Sequence, residues 1–313
     1  MLQLISVVIP CYNVANYIKD CVESVLKQTY INIEVICVDN NSTDQTYTIL
    51  NELKSHYSQL VVTSELKRGA CAARNKGLYL AKGQWVQFLD ADDLLLPKKI
   101  EEQHNLLQGI ASPVSFIAGS YIRRFVNGVE KKIISHNRNP IVLGVAINSL
   151  GITSANLFNR EKLLQVEGWN EEISSSQESD LMFRLIKIEP NVIIDTVPLT
   201  IVRERISGSI SQTNLDENIV RYIKLRLQIL DYLVTIRASN NDRQLLMQVI
   251  FDKIRELYNY NPSKSLEMYK NNIPEDFKPQ VSATTTKGYL YTYNLFGFKS
   301  AQKLKSFLNR IKK

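Results

Sequence analysis

A chain of 313 residues with 44% hydrophobic content has room for roughly two domains, or one large domain with an appendage, and is too apolar to be broadly disordered. Three scattered histidines (His56, His104, His136) argue against a zinc site. The four cysteines (Cys11, Cys21, Cys37, Cys71) form no CxxC pair and, with no secretory signal ahead of them, read as buried thiols in a reducing cytoplasm. The net charge of +7 sits in the tail, where residues 277–313 hold eight basic and no acidic side chains, so the near-neutral body is not expected to bind nucleic acid.

No apolar run approaches the roughly 18 residues of a membrane span. Residues 4–9 predict a first strand, ended by Pro10. A helix follows Asn16, with Ile18, Cys21, Val22, Val25 and Leu26 at helical spacing. Residues 33–38 predict a second strand that stops at Asp39. Ser42 and Gln45 have capping-box spacing for a second helix with Ile49, Leu50, Leu53 and Tyr57 on its apolar face. Residues 60–63 predict a third strand, and 70–81 a third helix closed by Gly83. A fourth strand carries Trp85, Val86, Phe88 and Leu89 and delivers Asp90, Asp92 and Asp93 at its end. Repeated strand–helix units predict an α/β fold with a mostly parallel sheet flanked by helices, and ligands beyond the carboxyl ends of its strands. Asp39 and Asp90 both stand at such ends.

Farther on, Asn127-Gly128 between residues 115–125 and 130–135 is a hairpin signal. Residues 140–150 read as a short helix or a loop. Asn159 caps a helix to about Val166, stopped by Gly168; residues 177–188 predict another, and 192–201 an apolar strand. Past about Gln212 the pattern is helical, dividing the chain into residues 1–212 and a C-terminal helical extension, 213–313.

Each polar cluster has a plain structural reading beside a chemical one. Asp90 and Asp92, two apart, share a face if the backbone is extended, which suits one divalent cation completed by substrate phosphates; the plain reading is an acidic helix start. Asp39 either closes a turn or accepts hydrogen bonds from a base or ribose. Arg74 and Asn75 either decorate an Ala-rich helix or contact a nucleotide near a helix N-terminus. Asp180 is spaced to pair with Arg184, which leaves Glu178 aimed elsewhere. The chain has no GxGxxG after its first strand, no Walker A sequence and no GxSxG elbow.

Taken together, the motifs resemble the inverting family 2 glycosyltransferases of the GT-A (Rossmann-like) fold. Val7-Val8-Ile9-Pro10-Cys11-Tyr12-Asn13 resembles that family's opening strand, and Val38-Asp39-Asn40-Asn41-Ser42-Thr43-Asp44 its VDDGSTD segment. Ala73-Arg74-Asn75-Lys76-Gly77 is similar to ARNxG, and Phe88-Leu89-Asp90-Ala91-Asp92-Asp93 to FLDADD, the DxD motif. Gly168-Trp169-Asn170-Glu171 resembles GGFDE, residues 177–184 resemble EDxDLxxR, and Gly208-Ser209-Ile210-Ser211 the closing GSIS.

The resemblance implies a nucleotide-sugar donor, a UDP-sugar first, and a glycan or lipid-linked acceptor. It implies Pro10, Tyr12, Asn13, Asp39, Arg74, Asp90 and Ala91 at the donor nucleotide, Asp92 on Mn2+ or Mg2+, and Glu178 as catalytic base. Asp180, Arg203 and Arg205 are candidates for the acceptor or the diphosphate. Three positions depart from the pattern: Asn40 replaces the second Asp of VDD, Gln177-Glu178 replaces the ED pair, and no His precedes Gly208, where Glu204 is the nearest substitute. Those departures motivate the alternative of a non-catalytic sugar-nucleotide or glycan-binding relative. A nucleotidyltransferase would need a Gly-rich basic loop after the first strand, unlike Cys11-Tyr12-Asn13-Val14. In the tail, Ala301, Leu304, Phe307, Leu308 and Ile311 are spaced as one helical face among basic residues, which suits an anionic membrane surface and a peripheral place on the inner membrane face; the plain reading is a helix packed on its own domain.

Overall fold

The computed structural model describes residues 3–204 and 214–311. The chain divides into two compact units, Met1–Gly208 and Ser209–Lys313. The expected boundary at residue 212 falls outside the described residues, as do Arg205 and Gly208-Ser209-Ile210-Ser211.

The first unit is built on β1 (Ile5–Cys11), which is apolar on both faces because it lies inside the sheet with helices to either side. It pairs in parallel with β2 (Ile33–Asp39) on one edge and with β4 (Trp85–Phe88) on the other, and β3 (Leu60–Ser64) extends the sheet beyond β2. Cys11 lies level with Asp39, and Val8 with Phe88. One sheet edge therefore receives the chain leaving β1, β2 and β4. Helix α3 (Ala70–Leu80) packs on β1 through Gly77, where a Cβ would meet Val8 Cγ1 at 2.2 Å. The other helices of this part are α1 (Ile18–Leu26) and α2 (Thr46–His56).

Beyond β4 the sheet turns mixed. β9 (Leu157–Asn159) runs antiparallel between β4 and β6 (Phe116–Gly119), and β10 (Val192–Asp195) closes the seven strands in the order β10-β6-β9-β4-β1-β2-β3. A second sheet of four strands has the order β5 (Leu94–Leu95), β11 (Thr200–Arg203), β7 (Tyr121–Arg124), β8 (Glu130–Ile133). Helices α4 (Lys99–Asn105), α5 (Val142–Ala146), α6 (Arg160–Gln165) and α7 (Gln177–Ile188) complete the unit.

Two expected strands are each divided between the sheets. Residues 115–125 break at Ser120 into β6 and β7, and residues 192–201 break after Asp195 into β10 and β11. They break together: the Ser120 amide and hydroxyl both donate to the Asp195 carbonyl, at 3.0 and 2.7 Å, before the paired chains enter the smaller sheet. The expected capping box also fails. Helix α2 starts at Thr46, because the Ser42 hydroxyl accepts the Asn13 amide at 3.1 Å while Asp44 Oδ1 accepts that of Thr46 at 2.9 Å. Asn159 does cap α6, accepting the Lys162 amide at 3.2 Å.

The second unit comprises α8 (Leu215–Thr235), α9 (Asn240–Leu257), α10 (Pro262–Asn272) and α11 (Lys287–Ile311). Phe251 of α9 centres an aromatic cluster with Tyr269, Phe277, Tyr293 and Phe298. Ala301 belongs to the buried side of α11, whereas Leu304, Phe307 and Leu308 are exposed, so the expected single apolar face is divided.

Candidate active site

The three carboxylates after β4 occupy a tight turn, not an extended strand. The Asp93 amide donates to the Asp90 carbonyl at 2.9 Å, with Ala91 buried at the centre, so the alternation that put Asp90 and Asp92 on one face does not apply. The turn separates their environments. Asp93 is 4% exposed and takes the Ser154 hydroxyl at 2.6 Å and the Arg203 amide at 3.1 Å. Burial, reinforced by the charges of Asp90 and Asp92, pushes its carboxyl well above the usual range. Asp93 therefore holds the turn from beneath and is no helix cap. Asp92 is half-buried, and the Asp90 side chain keeps 39% of its exposure.

Arg203 secures the same turn. Its Nε donates to the Asp92 carbonyl, its Nη1 lies 3.6 Å from Asp20, and its guanidinium stands 5.2 Å over the Tyr17 ring. Glu204 does not face the acids: its Oε2 accepts the Val126 amide at 3.2 Å.

Arg74 ties this turn to α7. Nη2 donates to Asp90 Oδ1 at 2.7 Å, Nη1 to Gln177 Oε1 at 3.2 Å, and the guanidinium lies 4.6 Å from the Trp169 ring centroid. Burial opposes the charge on Arg74, and the Asp90 carboxylate outweighs it. One residue after Gln177, Glu178 is half-buried and accepts both the Thr153 amide, at 2.9 Å, and the Thr153 hydroxyl, at 3.0 Å, on Oε2. Burial raises its pKa; the two Thr153 bonds pull it back, Asp90 adds to the rise and Arg74 opposes it. Asp180 has a different task. It pairs with Arg184 at 2.8 Å, and Arg184 Nη1 donates to the carbonyls of Val166 and Gly168, so the pair fastens the Gly168 turn.

Asn75 fastens that turn too and is spent on structure, not on a nucleotide. Its amide donates to the Trp169 carbonyl and accepts the Trp169 amide, both at 2.8 Å. Gly168 sits against it at φ +67°, where a Cβ would lie 2.5 Å from Asn75 Oδ1.

At the neighbouring strand ends, Asp39 is 6% exposed. Its Oδ2 accepts the Ser42 amide at 3.3 Å, while Oδ1 is buried with no hydrogen-bond partner among the described residues. A buried carboxylate oxygen without a donor is costly, and a ligand N–H or O–H would satisfy it. Pro10 stands half-buried level with Val38, Tyr12 is 51% exposed, and Asn13, at φ 50°, accepts the Thr43 amide at 2.8 Å. Asn40 is a clamp. Its Nδ2 donates to the carbonyls of Glu65 and Lys67, and its Oδ1 accepts the Gly69 amide, each at 2.8 Å. An aspartate cannot donate those bonds.

The structure thus joins Arg74, Asp90, Gln177 and Glu178, and sets Asp92 and Arg203 on the same turn. Thr153 and Ser154 were not among the sequence candidates. They come from the irregular stretch between α5 and β9, with no periodicity or motif to mark them. Among the described residues no group of three His, Cys, Asp or Glu side chains is placed to cage a metal. A hard cation can take one carboxylate and draw its remaining ligands from substrate phosphates, a place that Asp92 on this turn would suit; Asp93, with both oxygens engaged, does not contribute.

The family model described as Glycosyl transferase family 2 matches residues 6–169. The glycosyltransferase GlyG of Streptococcus pneumoniae serotype 4 is 32% identical over 234 residues, which are 69% of this chain and 75% of that protein. The Escherichia coli UDP-Glc:alpha-D-GlcNAc-diphosphoundecaprenol beta-1,3-glucosyltransferase WfaP is 40% identical over 108 residues, 34% of this chain and 42% of its own length. Among solved structures, S. aureus TarS in complex with UDP-GlcNAc superposes with a TM-score of 0.70 at 16% identity, covering 98% of this chain and 92% of that one, a likeness of fold.

Proposed function

The chain belongs to glycosyltransferase family 2, and from that premise we propose that it transfers a sugar, with inversion, from a UDP-sugar to a hydroxyl of a surface-glycan or lipid-linked acceptor. The observation that carries this reading is the Arg74 bridge. One buried guanidinium holds Asp90, at the end of β4, and Gln177, at the start of α7, so a donor-side acid and the neighbouring Glu178 keep a fixed relation.

Asp39 Oδ1 receives the base N–H of the donor, beside Pro10, Tyr12, Asn13 and Ala91. Asp90 meets the ribose or diphosphate. Glu178 accepts the acceptor hydroxyl proton as that oxygen bonds the anomeric carbon and the carbon–phosphate-oxygen bond breaks; such base help is worth roughly 10²–10⁴-fold. A raised pKa strengthens Glu178 as a proton acceptor, which suits a catalytic base. Asp92 would hold Mn2+ or Mg2+, which supplies positive charge to the departing nucleoside diphosphate. Arg203 stiffens the turn that presents Asp92, and Arg205 is a candidate contact for the diphosphate. Asp180 acts through Arg184 to keep α7 seated. The enzyme works in the cytoplasm, at the inner membrane face, where a lipid-linked acceptor would be presented.

Thermal stabilisation by UDP- and GDP-sugars with Mn2+, followed by donor hydrolysis and transfer, tests the reading. UDP with Mn2+ is expected to stabilise the wild type and Glu178→Gln alike, while transfer collapses in Glu178→Gln and Asp92→Ala. Wild-type turnover in either variant removes that residue from its role. Tight UDP binding with no hydrolysis by the wild type would favour a non-catalytic binding protein.

A further inference from the structure

Helix α11 kinks at Gly297 (φ 74°, ψ 175°), and beyond the kink its side chains form three stripes. The inward stripe is Phe298, Ala301, Gln302 and Lys305, spaced three and four apart. Phe298 is 4% exposed and stacks on Tyr269 with centroids 4.0 Å apart. Ala301 and Gln302 are buried, and Gln302 Nε2 donates to the Arg255 carbonyl at 3.2 Å. The second stripe is Leu304, Phe307 and Leu308, exposed at 45%, 61% and 48%. Lys299 and Lys303 form a third, exposed stripe beside it. Just before the kink, Tyr291, Leu295 and Phe296 are also more than half exposed.

The inward stripe already seats the helix, so the second one is surplus to packing, and large apolar side chains gathered on a surface mark a place of contact. We propose that this face of α11 docks in the plane of an anionic lipid bilayer. Leu304, Phe307 and Leu308 enter the boundary between head groups and acyl chains, and Lys299 and Lys303 contact lipid phosphates. Charge selects this occupant. Residues 277–313 carry eight basic and no acidic side chains, so a second copy of the same face would bring like charges together, whereas anionic head groups complement it. Among the described residues no helix is long and apolar enough to cross a membrane. The inference deepens the reading of an enzyme at the inner membrane face and is tested apart from its chemistry.

The experiment is flotation of the full chain with vesicles of phosphatidylglycerol and phosphatidylcholine, against pure phosphatidylcholine. The wild type is expected to float with the anionic vesicles and to be released by salt. Leu304→Ser/Phe307→Ser/Leu308→Ser should lose flotation, and Lys299→Gln/Lys303→Gln should partition about 30-fold more weakly. Both variants change exposed side chains and should keep wild-type melting and donor hydrolysis. Equal flotation of the triple variant, or equal binding to neutral vesicles, overturns the proposal. So does a dimer, seen by light scattering, that the triple variant abolishes. Hydrolysis without flotation sinks the docking surface alone; flotation without hydrolysis sinks the transferase reading alone.

Discussion

Thr153 gives Glu178 two hydrogen bonds on a single oxygen, one from its amide and one from its hydroxyl, at 2.9 and 3.0 Å. Both favour the ionised carboxylate, against a burial that disfavours it. Thr153→Val keeps the first bond and deletes the second with little change in volume, so the Glu178 pKa should rise further. A base works only when deprotonated, so rate is lost as pH falls through that pKa. The acid limb of the kcat/KM profile should therefore move to higher pH in the variant, with kcat at high pH nearly unchanged. A uniform loss at all pH values would mean that Thr153 only shapes the loop.

How much of this was legible in the sequence depended on whether a side chain's partner was periodic or particular. Helix α7 matches its expected span of 177–188, with acids in its first turn and Leu181 and Leu185 buried, but Ile188, which shares their helical face by spacing, is 45% exposed. Asp39 and Asp90 were placed because a strand that ends in an acid announces its own edge. The joint break at Ser120 and Asp195 was hidden, since alternation says which face is buried but not which sheet owns it. Thr153 and Ser154 were hidden for a related reason: a loop residue is defined by what it bonds, here Glu178 and Asp93, and neither bond leaves a local pattern.

Asn40 departs from the family's aspartate, and the clamp it makes explains why restoring the acid should harm this chain. Asn40→Asp would face two carbonyls, those of Glu65 and Lys67, with an oxygen in place of a donor, in a site 5% exposed. A loss of about 2–3 kcal/mol is expected from denaturant melts. The loss should be smaller at pH 5 than at pH 8, because the protonated acid can donate one bond. Stability equal to wild type at pH 8 would overturn the clamp.

Arg74 serves Asp90 and Gln177 with two different nitrogens of one planar group, which a lysine ammonium cannot copy. Arg74→Lys keeps the charge and loses the bridge, so kcat/KM should fall about 10²-fold, the scale of a misplaced catalytic group. Circular dichroism should remain that of the wild type. Full activity in the lysine variant would show that charge alone matters at this position.

Lys99 in α4 offers a test independent of the active site. It is 2% exposed, and its Nζ has no hydrogen-bond partner among the described residues. Burial lowers its pKa to about 7, with the nearby Asp195 working the other way. Asp195 is already served by Gln103 Nε2 and the Val197 amide, both at 2.9 Å. Below about pH 7 the lysine is charged in both folded and unfolded chains, and the buried charge exacts its full cost. Between about pH 7 and the unfolded value of about 10.4 the unfolded chain binds more protons, so this group makes stability rise with pH. Lys99→Met, close in volume and uncharged, should raise the melting temperature at pH 6 and lose that advantage progressively towards pH 10. Other titrating groups are common to both proteins and cancel in the difference. A variant that melts at the wild-type temperature at pH 6, or whose advantage grows with pH, would show that the Lys99 charge carries no such cost.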